Sequence, residues 1–350
     1  MISEKLLCSL LPLREEEKIC KQYYEIYRKA EDPEQLAAFR RALPPDPKRD
    51  FIFDYMEAEF SEPFTMREEP VNFPTSEEAV CVDPHTRYSA AHAHTHYFYE
   101  MIYVLHGFCD NVIEGKCLKM LPGDLCIMTP GTVHSMHVFR DDSIVINFLI
   151  RRSTFNETFL GTLPKDSFLS MYFMRAQYYG NPSKYILFHI QEDETVQQIL
   201  ELMIWQGLKK DQISNYLKND LLRLTFAYLL RNQQNVEISE GNAAESPHTM
   251  AILSYIYENY ATVTRLDLSA RFHFSETHIT RLILQSTGTT LTNLLRTIRL
   301  SKACTLLTET DLEVQKISET VGYESPEHFH RIFKQSKKMP PLKYRQLYKK

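Results

Sequence analysis

The feature that most narrows the fold is a pattern written twice. The stretch LSARFHFSETHITRLI, beginning at Leu268, aligns with ISETVGYESPEHFHRIF, beginning at Ile317. Leu268, Ser269 and Phe272 match Ile317, Ser318 and Val321 at an offset of 49, while Ser275, Ile279, Arg281 and Ile283 match Ser325, Phe329, Arg331 and Phe333 at an offset of 50. The one inserted residue falls between the two matched blocks, where a turn absorbs it at least cost. One supersecondary unit therefore occurs twice: a short helix, a tight turn, a serine able to cap the next helix, and a second helix.

In that second helix Ile279, Leu282 and Ile283, and again Phe329, Ile332 and Phe333, occupy the i, i+3, i+4 face that must be buried. The opposite face offers Thr277, Thr280 and Arg281 in the first copy and Glu327, His330, Arg331 and Lys334 in the second. Such side chains hydrogen-bond base edges and phosphates, and arginine addresses guanine with two parallel donors. This is helix-turn-helix chemistry, with the second helix of each unit meant for the major groove. Charge agrees. From Pro247 onward there are 15 lysines and arginines against 9 aspartates and glutamates, whereas the preceding 246 residues hold 25 against 36. A basic end on an acidic body points to a polyanionic partner for that end alone.

Residues 250–348 resemble the AraC/XylS family of transcriptional regulators, through FHFSETHITRLILQSTG, LLRTIRLSKACTLLTETD, ISETVGYESPEHFHRIFKQ and the closing PLKYR. The resemblance implies two helix-turn-helix units bridged by a central helix, double-stranded DNA and RNA polymerase as partners, a small-molecule effector and a homodimer. The chain departs from the family pattern at several places. Ser269 and Ser318 stand where a small alanine is usual, and Ile283 and Leu284 stand where an aromatic and a lysine are expected, which removes a phosphate contact. Lys338 stands where a glycine usually ends the second recognition helix, so a different helix ending is expected there.

Between residues 78 and 150 the texture changes. Short apolar runs such as EMIYVLHG, LCIMTPGTVH and SIVINFLI are punctuated by Gly and Pro, the pattern of an all-β sandwich or barrel. HAHTHYFYE, residues 92–100, sets three alternating histidines ahead of a glutamate. The spacing His94-x-His96-x3-Glu100-x6-Gly107, followed by Gly123, Pro130, Gly131 and His134, resembles the two motifs of the cupin barrel, with Thr129 in place of an expected proline and Val138 in place of an expected asparagine. The resemblance implies that His94, His96, Glu100 and His134 point into the barrel, where imidazole and carboxylate suit a divalent transition metal such as zinc, iron or manganese. Two functions stay open at this point: a cupin-type metalloenzyme with an appended DNA-binding domain, and an effector pocket, with a sugar as the ligand that family analogy suggests. The chain shows no second catalytic constellation and commits its last hundred residues to DNA, so sensing is the preferred reading. His92 is expected at the rim.

Elsewhere the signals are helical. Ile19, Tyr23, Ile26 and Tyr27 recur at helical spacing, and DPEQLAAFRRAL opens with Asp32 as a cap and Pro33 in the first turn. Val196, Ile199, Leu200, Met203 and Ile204 mark another helix. In DQISNYLKNDLLRLTFAYLLR, Leu217, Leu221, Leu224 and Tyr228 form one stripe and Leu222, Phe226 and Leu229 another, so this helix has two neighbours to satisfy, the β domain and a second copy of the chain. The N-terminus MISEKLLCSLLPLREEEK is too polar for a secretory signal, no apolar run approaches the roughly 20 residues that span a bilayer, and the seven scattered cysteines never form CxxC. A cytoplasmic location with reduced thiols is expected. The fold expected is α+β multidomain: an N-terminal helical extension (1–60), a cupin-like antiparallel β-barrel sensor (61–190), a helical dimerisation segment (191–232), a linker (233–248) and an all-α double helix-turn-helix domain (249–350). The expected function is a regulator, not an enzyme, that binds specific DNA and adjusts transcription when a small molecule binds.

Overall fold

The computed structural model describes residues 3–29, 33–43, 63–67, 73, 78–89, 91–152, 155, 172–173, 184–209, 211–231, 236–239, 247–287 and 289–348. They fall into two compact units, one within residues 1–163 and 183–241 and the other within 164–182 and 242–350. No helix among the described residues is long and apolar enough to cross a membrane.

The first unit opens with α1 (Glu4–Leu10), α2 (Glu15–Lys29) and α3 (Pro33–Ala42). The strands follow: β1 (Phe64–Met66), β2 (Val80–Pro84), β3 (His94–His96), β4 (Tyr99–His106), β5 (Cys109–Ile113), β6 (Lys116–Met120), β7 (Asp124–Met128), β8 (His134–His137), β9 (Ile144–Ile150) and β10 (Tyr185–His189). Helices α4 (Glu194–Lys209) and α5 (Gln212–Arg231) and strand β11 (Val236–Ile238) close it. One sheet has the order β1-β3-β8-β5-β6 and the other β11-β10-β7-β4-β9-β2. All pairings are antiparallel except β1 with β3.

The two sheets enclose a core of Ile102, Val104, Cys109, Ile113, Cys126, Met128, Met136 and Val145. Strand β4 is buried over seven of its eight residues. That is why its sequence shows no alternation: its even positions face this core and its odd positions face helices. Tyr99 stacks on Phe155 at 4.1 Å, and Phe155 meets Phe226 of α5 edge-on. A Cβ on Gly207 of α4 would collide with Val82 of β2, so only glycine lets this helix approach the strand so closely.

The N-terminal helices dock on the barrel through a buried ion pair. Arg87, 3% exposed, donates from Nε and Nη2 to both carboxylate oxygens of Glu17, and its remaining donors reach the carbonyls of Leu10, Leu11, Pro12 and Asp141. Tyr24 stacks on Phe139 at 4.4 Å, and Ser3, the N-cap of α1, bonds Glu201 on α4. Burial would raise the Glu17 pKa, but Arg87 and Arg14 pull it down to about 2. The expected cap Asp32 lies outside the described residues.

Two features differ from the sequence reading. On α5 the buried stripe is Leu222, Phe226 and Leu229, as expected, and Leu217 and Leu224 are exposed as expected, but the outward side also carries Ile213 and Tyr216, while Leu221 and Tyr228 are half-buried. The segment expected as a linker begins with a strand: Val236 pairs with Phe188 and Ile238 with Ile186, and Ser239 Oγ accepts the backbone N–H of Lys184 and Tyr185. Three alternating residues are too few to register as a period, yet the free edge of β10 suffices to order them. Residues 232–235 and 240–246 of that segment lie outside the described residues.

The second unit contains α6 (Pro247–Glu258), α7 (Arg265–Phe272), α8 (Glu276–Thr287), α9 (Leu291–Glu309), α10 (Val314–Thr320), α11 (Pro326–Lys337) and α12 (Pro341–Tyr348). Thr264 and Asp267 form a reciprocal capping box on α7. The matched serines act alike: Ser275 Oγ accepts His278 N–H and Ser325 Oγ accepts His328 N–H, each at 3.2 Å. Ile279, Ile283, Phe329 and Phe333 are all fully buried. Lys338 adopts φ 58°, so α11 ends in a left-handed residue without the glycine, contrary to the ending expected. Gly322, φ 90°, lies so close to Ala261 that any Cβ would overlap its carbonyl oxygen, and Arg299 on α9 donates to the carbonyls of Tyr260 and Ala261 at 3.0 Å each.

Candidate functional site

In the first unit β3 presents His94 and His96 to one face, two residues apart, and β8 pairs His94 directly with His134. Glu100 enters from β4 in the opposite sheet. One ligand nitrogen from each of His94, His96 and His134 lies within 4.8 Å of the others. Glu100 Oε2 lies 3.1 Å from His134 Nε2 and 3.6 Å from His96 Nδ1. The structure thus brings together all four residues singled out in the sequence, and His96, Glu100 and His134 are buried. His94 Nδ1 sits 2.9 Å from the carbonyl of His92, which can only accept, so Nδ1 carries the proton and Nε2 keeps its lone pair. His92 itself is half-buried at the margin.

Burial pushes His94 down to about 4 and His96 to about 3, leaving both neutral at pH 7. Burial would raise Glu100, yet the facing His96 and His134 hold it below the usual carboxylate range. Neutral imidazoles with free lone pairs beside an ionised carboxylate are the protonation states a metal requires of its ligands. The three imidazoles have the chemistry and spacing for a divalent transition ion, which His94, His96 and His134 would hold with the Glu100 carboxylate beside them and which would supply Lewis acidity to a ligand oxygen.

One contributor was missed in the sequence. His85 follows the end of β2, burial pushes it down to about 4, and Glu100 and His94 are among the charges that act on it. Further into the barrel, Asn111, fully buried, and Asn147 each leave the amide oxygen without a hydrogen-bond partner. Both face the core, since Asn111 pairs in register with Met136 and Asn147 with Ile102.

In the second unit α8 exposes Thr277 and Arg281, and α11 exposes Glu327, His330, Arg331 and Lys334. Thr280 is half-buried and its hydroxyl donates to the carbonyl of Glu276, so only its lone pairs remain for a base. Arg281 Nη2 lies 3.2 Å from His278 Nδ1, and Glu327 accepts from Ser325 Oγ at 2.6 Å. Arg299 and Arg345 are committed to backbone carbonyls and serve the fold.

Comparison with known proteins bears on both sites. Residues 80–227 match the family model described as an AraC-like ligand binding domain, and residues 268–347 match a helix-turn-helix domain. The chain belongs to the AraC family of transcriptional regulators. Among the relatives of this AraC-family chain is the HTH-type transcriptional activator RhaS of Escherichia fergusonii, 24% identical over 278 residues, which span 78% of this chain and 94% of the relative. RhaS of Escherichia coli O139:H28 is 24% identical over 276 residues. Among solved structures, ToxT from Vibrio cholerae aligns over 77% of this chain and 98% of its own at 14% identity, with a TM-score of 0.33. The C-terminal domain of AraT from Geobacillus stearothermophilus aligns over 31% of this chain at 28% identity, with a TM-score of 0.30. The AraC-family chain is therefore a DNA-binding transcriptional regulator with a ligand-binding domain.

Proposed function

We propose that His94, His96, Glu100 and His134 form the effector pocket of this regulator and that α8 and α11 insert into successive stretches of major groove. The observation that carries the reading is the convergence of three imidazoles and a carboxylate at one buried pole of the barrel, in a chain whose other unit exposes two matched polar helix faces. Thr277, Thr280 and Arg281 contact DNA from α8, and Glu327, His330, Arg331 and Lys334 from α11. The effector is a small molecule rich in hydroxyl donors, a description that sugars meet, because Asn111 and Asn147 offer it unpartnered acceptor oxygens. Regulation, not catalysis, is the chain's task. The cupin-type enzyme stands as the alternative that oxygen-uptake assays with added iron would reveal.

A second reading concerns metal. The three ligand nitrogens within 4.8 Å favour a divalent ion as part of the pocket, anchoring an effector oxygen. The sensor spans 61–190 and the DNA-binding domain 249–350. Two copies associate through the outward stripe of α5, where Ile213 and Tyr216 are 70% and 74% exposed. The dimer acts in the cytoplasm with RNA polymerase as its further partner.

The test is His96→Ala combined with His134→Ala in the full chain. Native mass spectrometry of the wild type purified from its host identifies the retained effector and any metal. The folded double mutant is expected to lose both while keeping basal DNA affinity. Coupling of about 1 to 3 kcal/mol between effector and DNA should vanish with them. A double mutant that responds with full amplitude and unchanged effector affinity refutes the assignment.

A further inference from the structure

The two recognition helices carry the same line of positions with different chemistry. On α8, Thr277, Arg281 and Leu284 are spaced i, i+4, i+7 and form one exposed line; on α11 the corresponding residues are Glu327, Arg331 and Lys334. Leu284 is 49% exposed, although Ile279 and Ile283 of the same helix are fully buried. It thus lies on the outward side beside Arg281 and not in the seam. Arg281 is the only lysine or arginine on α8, whereas α11 has Arg331, Lys334 and Lys337.

We propose that Leu284 is a specificity residue that packs on the C5 methyl group of a thymine next to the guanine read by Arg281. The inference rests on the placement of α8 in the major groove. The thymine methyl is the one apolar feature that base edges display in that groove, and an aliphatic side chain is its natural partner. A leucine facing phosphates would gain nothing and would keep its branched end in water, while the lysine in the equivalent position of α11 neutralises a phosphate. Thr277, whose own methyl group lies on the same line, extends the apolar contact. The α8 half of the site is thereby read as guanine with thymine. The α11 half is read as guanine with cytosine, whose amino group Glu327 accepts, and is held by more charge. The two halves of one binding site thus differ both in sequence and in sensitivity to salt.

The experiment uses the full chain and duplexes that it selects from a random pool. The α8 half is the part of the footprint lost in Arg281→Ala and kept in Arg331→Ala. Each thymine is then replaced by deoxyuridine, which removes the methyl group and nothing else. At one thymine of the α8 half the affinity is expected to fall about 4-fold, the worth of one buried methyl group. Thymines of the α11 half are expected to change by less than about 2-fold. Leu284→Ala, shown to be folded by circular dichroism, should bind thymine and deoxyuridine duplexes equally. Leu284→Lys should also lose the discrimination, and should steepen the salt dependence by about one counterion. Indifference of the wild type to every deoxyuridine, or an undiminished penalty in Leu284→Ala, overturns the role of Leu284 and leaves the groove assignment standing. Failure to select any common sequence overturns the groove assignment itself.

Discussion

Glu17→Gln is expected to destabilise the first unit by about 2 kcal/mol at pH 7, through the clasp that holds the N-terminal helices on the barrel. The Glu17 carboxylate accepts five hydrogen bonds, from the backbone N–H of Arg14 and Arg87 and from both guanidinium groups, at 2.8 to 3.2 Å. These bonds hold its pKa at about 2 against an ordinary value of 4.5. At roughly 1.4 kcal/mol per unit, that gap is worth about 3 kcal/mol. Solvent reaches Arg14, whose side chain is 40% exposed, and screens part of it, which leaves about 2 kcal/mol. A depressed carboxylate stabilises the fold in full above pH 4.5 and loses that contribution as the pH falls towards 2. The wild type should therefore weaken across this window by about 2 kcal/mol more than the glutamine variant, which keeps only the losses from the other depressed carboxylates, Glu100 and Asp141 among them. Trp205, the single tryptophan, lies on α4 with Lys5 of α1 over its ring at 5.7 Å, so its fluorescence reports docking directly. Urea unfolding followed at Trp205 at pH 7, 5 and 3 makes the measurement. A Glu17→Gln protein within about 0.5 kcal/mol of the wild type at pH 7, or one that loses as much stability as the wild type between pH 5 and pH 3, refutes the reasoning.

Gly322→Ala should cost the second unit more than about 2 kcal/mol in thermal unfolding, because it adds a Cβ against Ala261 at a left-handed backbone position. Lys338→Gly should raise stability by about 1 kcal/mol by relieving the left-handed lysine, and a lower melting temperature would contradict the observed helix ending. Removing either matched cap, Ser275→Ala or Ser325→Ala, should cost about 1 kcal/mol in chemical denaturation. Tyr216→Arg with Leu224→Arg should yield monomers in sedimentation, whereas Leu221→Arg should chiefly destabilise the fold; an unchanged dimer in the folded double variant places the interface elsewhere.

The helix-turn-helix repeat was legible because burial acts on it locally. Each copy must hide residues at fixed spacing, so Ile279 and Ile283 appear again as Phe329 and Phe333. The four residues of the barrel pole were legible through the cupin-like spacing, which sets them at alternating or turn-adjacent positions of short strands, whereas His85, just past the end of β2, belongs to neither motif. The N-terminal clasp could not be read, because Glu17 and Arg87 are 70 residues apart and no period connects them. The α5 stripe was read in part: Leu217 and Leu224 are exposed as expected, while Leu221 and Tyr228 are half-buried. Leu221 sits only about 40° round the helix from Leu217, and that small step turns it toward the flank beside Leu222. Strand β11 escaped because its order comes from the edge of β10 and not from its own three residues.

The contact of Gly322 with Ala261, closed by Arg299, joins the turn of the second helix-turn-helix to the chain that enters the first. It ties the turn that leads into α11 to the segment that leads into α7, and so limits how far one helix-turn-helix unit can move against the other. If both α8 and α11 read the groove, as proposed, such a protein would measure distance as well as letters. Adding one base pair between its two recognition elements would turn one against the other by roughly a tenth of a helical turn, and neither set of side chains could follow without giving up its bases. The stretch of DNA between them would then be constrained in length while remaining free in sequence wherever no side chain reaches it.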